Sequence, residues 1–503
     1  MSRYVLAIDL GTSGLKVAVV DDRGVVRAAA YEALATRHTP DGGAEQDAEE
    51  WWQALGRAGR RAVASAGVAV GVVAVTAQYM SVVAVDERGV PVAPVVMWTD
   101  RRGTPVHPLL ARHDLWGRWL DVHGLIPLAD DDVGHVSVLR AVHPDHVTRV
   151  ASYVEPADAV TARLTGRVTA SPNTAFPLMC TDNRVWDDVH YDDELVRFTG
   201  VDRALLPPIV DAGTPLGPLT AEAAQHLGLD AATIVMPATV DSITSAIGSG
   251  AIDSSRAALV VGTTSVLATH LDHKAHDLGR AITTMPSPLA GQWFVMAENG
   301  VGGKALEVFV EGVVYPDDAL TVAAEPADAY ARCEAAAASV PAGARGVQFL
   351  PWLHGSLAPA PNDDMRGGFL GMGLSTTRAD LARAVYEGVA LNAAWLVPAV
   401  SDMTGVQYRE LTLGGGAARA RLFAEILASA CGATVHRLDA PEHANARGAA
   451  LLALVQLGDL DVADVASLIK VADVHEPDPE AVDVYRAALE RHIATHSGLT
   501  ALA

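Results

Sequence analysis

Two similar segments lie about 250 residues apart, and this repetition constrains the fold more than any other feature of the sequence. Residues 5–21 read VLAIDLGTSGLKVAVVD, and residues 257–273 read AALVVGTTSVLATHLDH. Each segment is an apolar run, a turn of glycine and hydroxyl residues, and a second apolar run, a pattern typical of a β-hairpin. Two copies predict two related α/β halves, each beginning with a hairpin.

The two turns also have a chemical meaning. Glycine backbone lets a phosphate approach closely, and exposed N–H groups in such a turn bind anions. Asp9 stands beside the first turn, where its charge would repel a phosphate unless a cation lay between them, whereas Val260 holds this place in the second copy. An ordinary hairpin turn is the alternative for GTT, but the paired copies favour a metal-bound nucleotide clamped between two lobes. The turn residues are Gly11, Thr12, Ser13, Gly262, Thr263 and Thr264.

Length and charge exclude several classes of function. A chain of 503 residues is too long for one core, so two or three domains are expected. The net charge of −23 argues against nucleic acid and against an anionic membrane surface as partners. Three scattered cysteines predict neither a zinc site nor a disulfide framework. Since no signal peptide or membrane-length apolar stretch is recognised, a cytoplasmic location is expected.

Two further segments carry candidate binding residues. ELTLGGGAARARLFAEILASACG, residues 410–432, predicts a strand, a glycine turn and an amphipathic helix, and a flat ligand can lie on such a turn near the positive end of the helix. ATVDSITSAIG predicts a turn carrying Asp241 followed by a helix of small residues. Lys304 in GVGGKAL lacks the remaining residues of a Walker motif, so a P-loop is not predicted.

Together these residues resemble the FGGY carbohydrate kinases, members of the actin-like, ribonuclease H-like ATPase superfamily. The most specific match is GGFLGMGLSTTRADLARAVYEG at residues 367–388, which is similar to the family's C-terminal signature. LGGGAA resembles its adenosine-binding turn, VGTTS its second phosphate loop and WTDRR its sugar-site segment. Within the family, the xylulokinases and gluconokinases are most similar. The resemblance implies two actin-like ATPase domains, residues 1–243 and 244–503, with a nucleotide and sugar cleft between them.

The reaction so implied is phosphoryl transfer from ATP to a sugar hydroxyl, with Mg²⁺. By resemblance, Asp241 is the catalytic base and also contacts substrate and metal, while Asp9 holds Mg²⁺. The alternatives are that Asp241 only caps its helix and that Asp9 is only a strand-end turn residue. Lys16, beyond the first turn, is a weaker candidate. Besides the six turn residues, the candidates for nucleotide binding are Gly415, Gly416 and Ala417.

The expected partner is a small sugar, and a homodimer is left open. By resemblance, the sugar-site candidates are Gln78, Trp98, Asp100 and Arg102. An amide, an indole, a carboxylate and a guanidinium can together bind vicinal hydroxyls and the apolar face of a sugar. Core packing for Trp98 and an ion pair between Asp100 and an arginine remain open alternatives.

The sugar-site segment also departs from the family pattern. Relatives often carry Met-His where this chain has Tyr79–Met80, and Pro172 replaces a usual Asp. These departures bear on which sugar is bound. The likeness over the whole chain, with Gln78, Trp98, Asp100 and Arg102, implies D-xylulose as the acceptor, with a polyol or aldonate such as gluconate as the alternative. A degenerate sugar-binding regulator of the same fold is the non-enzyme alternative.

Overall fold

The computed structural model describes residues 3–103, 109, 112–128, 130–319 and 324–501. Among the helices of these residues, none combines the length and apolar character needed to cross a membrane. The described chain forms two large sheets, one in each half, with helices packed against their faces.

The N-terminal half contains the first large sheet. The strands of this half, in the large sheet and in smaller ones, are β1 (Tyr4–Leu10), β2 (Gly14–Val20), β3 (Val26–Ala33), β4 (Arg37–His38), β5 (Ala44–Gln46), β6 (Val70–Ala77), β7 (Val83–Val85), β8 (Val95–Val96), β9 (Ser152–Val154), β10 (Thr181–Asp182), β11 (His190–Tyr191), β12 (Gly217–Pro218), β13 (Ile234–Val235) and β14 (Thr239–Val240). Its helices are α1 (Ala48–Ala66), α2 (Trp116–Val122), α3 (Asp132–Val142), α4 (Pro156–Thr165), α5 (Asp193–Thr199), α6 (Ala221–Leu227) and α7 (Asp241–Gly248).

The C-terminal half contains the second large sheet. The strands of this half, in the large sheet and in a two-stranded one, are β15 (Ala257–Val261), β16 (Thr264–Leu271), β17 (Ile282–Pro286), β18 (Trp293–Val301), β19 (Gln348–Leu350), β20 (Gly368–Leu370), β21 (Glu410–Gly414), β22 (Thr434–Leu438) and β23 (Val471–His475). Its helices are α8 (Lys304–Phe309), α9 (Ala329–Ala338), α10 (Arg378–Thr404), α11 (Arg421–Cys431), α12 (Ala444–Gln456), α13 (Val462–Leu468) and α14 (Pro479–Thr500).

The two sheets share a topology, as the repeated hairpin predicts. The first has the order β12–β13–β6–β1–β2–β3, with β14 also paired to β6, and the second has the order β17–β18–β16–β15–β21–β22–β23. In each, the first hairpin strand lies between its antiparallel partner and a later parallel strand: β1 between β2 and β6, and β15 between β16 and β21. The predicted α/β fold of two actin-like halves is confirmed.

The central strand β1 is buried on both faces, which explains its uninterrupted apolar run. Side chains such as Leu6 and Ile8 pack in the core that includes α1, and Val5 and Ala7 pack in a second core that includes α12. A helix from the C-terminal half therefore covers one face of the N-terminal sheet.

Helices α7 and α12 cross in very close contact. A Cβ atom added to Gly248 would lie 1.9 Å from the carbonyl oxygen of Ala444, and one added to Gly448 would lie 1.8 Å from that of Thr244. Only glycine fits either position. Helix α7 also runs through residue 243, where the sequence predicts the domain boundary.

Candidate active site

Asp9 and Asp241 lie at the same edge of the N-terminal sheet. Asp9 is opposite Thr76 in the parallel pairing of β1 with β6, and Thr76 is also paired with Thr239, two residues before Asp241. The hydroxyl oxygens of Thr76 and Thr244 are 2.8 Å apart and tie this strand to the first turn of α7. The carboxyl ends of adjacent parallel strands thus bring the two carboxylates together, as in other open α/β sheets.

Asp241 is the first residue of α7 but does not cap it. Val240 occupies the cap position, and no side chain caps this helix. The carboxylate of Asp241 accepts a long 3.4 Å bond from the hydroxyl of Ser242. Burial, followed by the negative charge of Asp9, raises the pKa of Asp241 to about 7. The structure therefore does not support the capping alternative, and a raised pKa is a property that general bases in enzymes commonly have.

Asp9 is 3% exposed and lies between two side-chain donors. The Lys16 ammonium lies 3.4 Å from one carboxylate oxygen, and the Asn445 amide donates to the other at 3.3 Å. Lys16 is its direct partner across the hairpin, whereas Asn445 comes from α12. Within the described residues neither oxygen accepts a backbone N–H, so the structure does not support a simple turn role for Asp9.

These two carboxylates fit a magnesium ion. Mg²⁺ prefers oxygen ligands, keeps several waters, and is held by one or two carboxylates together with substrate phosphates. The described residues contain no group of three or more His, Cys, Asp and Glu side chains that could hold a metal. A site built only from protein ligands is thus missing in this part of the chain, while two neighbouring carboxylates, the buried Asp9 and the half-buried Asp241, match what Mg²⁺ needs.

The first turn contacts the candidate sugar residues directly. The Thr12 hydroxyl donates to Oε1 of Gln78 at 2.6 Å and accepts from the indole N–H of Trp98 at 2.9 Å. The structure therefore brings Thr12, Gln78 and Trp98 into one cluster. Nε2 of Gln78 is buried without a hydrogen-bond partner among the described residues. An orphan buried donor is costly, so a ligand acceptor at this place would satisfy it.

Asp100 and Arg102 form an ion pair within the chain. Asp100 is fully buried and accepts hydrogen bonds from the backbone N–H groups of Ala44 and Arg102 and from the guanidinium of Arg102. The same guanidinium lies 2.8 Å from Glu45. The neighbouring Arg101 pairs instead with Asp130 at 2.5 Å. A direct bond from Asp100 to a sugar would have to replace one of these internal bonds.

Tyr79 and Met80 lie at the point where the two halves meet. Met80 has a positive φ of 58°, and its backbone N–H donates to the buried carboxylate of Glu155 at 2.9 Å. The Tyr79 hydroxyl is 2.5 Å from the sulfur of Met296 on β18. Burial, followed by the negative charge of Glu298, raises the pKa of Tyr79 far above its usual range. Tyr79 therefore spans from the sugar segment to the C-terminal sheet.

A cavity of 560 Å³ in the C-terminal half joins two of the predicted nucleotide-binding segments. Gly262 and Thr263 form one part of its wall, and Gly416 and Ala417 form another. Gly415 has φ of 75°, and a Cβ atom there would lie 2.5 Å from the carbonyl oxygen of Val261, so only glycine lets the two turns approach. Gly415 and Thr264 flank this lining.

Other residues of the cavity were missed from the sequence. They include Gly302, Gly303, Lys304, Tyr330, Tyr386 and Phe423. The glycine-rich GVGGK segment is the one local signal that could have indicated part of this wall. In the structure Gly303 of that segment donates its N–H to the carbonyl oxygen of Gly262 at 2.7 Å. The aromatic residues come from separate helices and carry no local pattern that predicts a shared cavity.

Comparisons with known proteins agree with this arrangement. Residues 4–248 match the N-terminal domain of the FGGY family of carbohydrate kinases, and residues 257–457 match its C-terminal domain. A xylulose kinase of Staphylococcus epidermidis is 26% identical over 96% of this chain and 95% of its own length. An autoinducer-2 kinase of Salmonella choleraesuis is 26% identical over 99% of this chain and 95% of its own.

A solved structure is also similar over the whole length. The xylulose kinase of Rhodospirillum rubrum superposes with a TM-score of 0.85 at 25% identity, covering 99% of each chain. The two domain matches together span most of the 503 residues. The chain therefore belongs to the FGGY family of carbohydrate kinases and is a xylulokinase-like sugar kinase.

Proposed function

We propose that this kinase transfers the γ-phosphoryl group of ATP, with Mg²⁺, to a hydroxyl of a small neutral sugar. The acceptor that we propose is a ketopentose such as D-xylulose. The observation that carries the proposal is the pair of neighbouring carboxylates, Asp9 and Asp241, which adjacent parallel strands bring together at the edge of the N-terminal sheet. The curated xylulose kinase relative supports the choice of sugar.

Asp241 is the proton acceptor in this proposal. The attacking sugar oxygen forms a bond to the γ-phosphorus while the bond from that phosphorus to the bridging oxygen of ADP breaks, and the hydroxyl proton passes to Asp241. A carboxylate with a pKa near 7 accepts this proton more readily than an ordinary aspartate. Mg²⁺, when bound, neutralises charge on the transferring phosphates.

Asp9 holds the metal, and the two turns hold the nucleotide. Asp9 keeps a carboxylate at the mouth of the first turn, where its charge would repel the phosphates unless Mg²⁺ lay between them. Backbone N–H groups and hydroxyls of the two turns bind phosphate oxygens, and the 560 Å³ cavity beside Gly416 takes the adenosine. Such positioning is the main source of catalysis in phosphoryl transfer.

The charges around the sugar segment favour a neutral acceptor over an aldonate. Lys16, Arg101 and Arg102 each already contact a carboxylate of the chain, so none of the three is free for a substrate carboxylate. Glu298 lies two residues beyond Met296 on β18 and therefore on the same face, towards Tyr79. An anionic acceptor would meet the carboxyl groups of Asp241 and Glu298, whose pKa values are already raised to about 7 and whose ionisation a further negative charge would disfavour.

The test is a coupled assay of ADP release against D-xylulose, D-ribulose, a pentitol, gluconate and autoinducer-2. We expect kcat/KM for D-xylulose to exceed that for gluconate by about 100-fold or more, since a buried carboxylate facing like charge costs several kcal/mol. A higher kcat/KM for gluconate would contradict the neutral-acceptor proposal. A preference for autoinducer-2 would support phosphoryl transfer from ATP but would contradict a ketopentose as the acceptor.

A further inference from the structure

Asn445, which lies in the C-terminal half of the chain, contacts the carboxylate of Asp9. Its side-chain amide donates to Oδ1 of Asp9 at 3.3 Å, across 436 positions of sequence. The other carboxylate oxygen is 3.4 Å from Lys16 of the same hairpin. One oxygen is therefore held from within the N-terminal lobe, and the other from a helix that belongs to the C-terminal half.

The helix that carries Asn445 has little freedom to move relative to Asp9. Asn445 is the second residue of α12, whose Gly448 packs directly on the backbone of Thr244. Further along, Ala446 and Ala449 pack in one core with Val5 and Ala7 of β1. Because β1 also carries Asp9, the donor and the carboxylate are fixed on the same packed unit.

An amide suits this position chemically. It donates one hydrogen bond without adding a positive charge, so Asp9 keeps its full negative charge for a metal ion. Holding one oxygen restricts rotation of the carboxylate and leaves the remaining lone pairs in a defined direction. Hydrogen bonds from outer groups commonly orient the carboxylates that bind metals.

We propose that Asn445 is a positioning residue that orients Asp9 for Mg²⁺, so that the geometry of the metal ligand depends on the seating of α12 against β1. This inference rests on the proposed function, in which Asp9 holds the metal. Asn445 itself is not expected to touch the sugar or the transferred phosphoryl group.

The test measures Mn²⁺ affinity of the full-length protein in complex with ADP, by electron paramagnetic resonance of the free ion. Asn445→Leu keeps most of the side-chain volume and removes the donor, and Asn445→Ala removes both. Each should weaken Mn²⁺ binding about 10- to 30-fold, the lower part of the range for a hydrogen bond to a charged group. The affinity for ADP measured without metal should stay unchanged. A general loss of packing would lower that affinity as well, so this measurement separates the two causes.

Three further variants separate the possible failures. Gln456→Leu removes an amide from the last residue of the same helix and should leave Mn²⁺ affinity unchanged. Asp9→Asn should weaken Mn²⁺ binding strongly, and adding Asn445→Leu to it should cause no further loss. Parent-like Mn²⁺ affinity in both Asn445 variants, with binding lost in Asp9→Asn, would overturn this inference alone. Parent-like affinity in Asp9→Asn would overturn the metal role of Asp9 and with it the proposed function of that residue.

Discussion

At the scale of single residues, Asp241 combines two opposing effects. Burial and the neighbouring Asp9 raise its pKa to about 7, which suits a base but disfavours the ionised carboxylate in the folded protein. Between pH 4 and 7 the unfolded chain releases this proton and the folded chain keeps it, so the free energy of unfolding falls as pH rises. Asp241 should therefore cost stability at the pH where it works.

This effect can be measured with Asp241→Asn. The amide cannot ionise, so we expect the variant to melt at a higher temperature than the parent at pH 8, with the difference shrinking towards zero near pH 4. The matched control is Asp187→Asn at an exposed position, which should show no such trend. A melting difference for Asp241→Asn that is independent of pH would contradict the raised pKa.

Met80 is the residue at which sugar selectivity is expected to respond. A thioether cannot donate the hydrogen bond that an imidazole would supply to a sugar hydroxyl. Met80→His should change the ranking of kcat/KM among D-xylulose, D-ribulose and a pentitol, while turnover on the preferred sugar remains. The exposed Met372→His serves as a control and should leave the ranking unchanged. An identical ranking in parent and Met80→His would show that Met80 does not face the sugar.

Sequence patterns predicted some of these residues and missed others for physical reasons. The position of Asp9 between a strand and a glycine turn is a local feature, and local features can be recognised without the fold. The internal bonds of Asp100 depend on Ala44 and Arg102 at once, and only the folded chain shows that both carboxylate oxygens accept hydrogen bonds, Oδ2 from Ala44 and Oδ1 from Arg102. Asn445 contacts Asp9 from 436 residues away, with no pattern that links the two.

At the scale of elements, the meeting of two turns forms part of the nucleotide cavity. Gly415 allows this approach because its φ is positive and because a Cβ atom would lie 2.5 Å from the carbonyl oxygen of Val261. We expect Gly415→Ala to push the glycine turn away from β15 and raise KM for ATP about tenfold or more, the size expected when positioning is lost near bound phosphates. Steady-state kinetics at saturating sugar measure this change.

Gly432→Ala provides the matched control. Gly432 also has a positive φ, 61°, but a Cβ atom there would meet nothing within 4 Å. It should lower the melting temperature through backbone strain of roughly 1–2 kcal/mol and leave KM for ATP at the parent value. Equal effects of the two substitutions on KM would show that the approach of the turns is not what matters.

The elements themselves were largely predictable, but their packing was not. Apolar runs bounded by glycine turns predicted both hairpins and the strand before GGG, and each is present as β1–β2, β15–β16 and β21. The crossing of α7 with α12 joins segments about 200 residues apart through small residues. Gly248 and Gly448 carry no signal of this contact in sequence, because glycine occurs for many unrelated reasons.

At the scale of the whole molecule, the two lobes are expected to move. The proposed phosphate turns lie one on each lobe, and closure around both substrates would exclude water that could otherwise hydrolyse ATP. A non-hydrolysable ATP analogue and D-xylulose together should reduce the radius of gyration more than either ligand alone. Small-angle scattering measures this change, and identical curves with and without both ligands would contradict closure.

The central claim is that the carboxylate of Asp241, at the edge of the N-terminal sheet, accepts the proton from the sugar. The most direct measurement is the turnover number of purified Asp241→Asn with saturating MgATP and D-xylulose, or the best acceptor of the panel, together with a circular dichroism spectrum. We predict a loss of about 10²- to 10⁴-fold with an unchanged spectrum, the range for removing a general base. Turnover within a few-fold of the parent would contradict the claim.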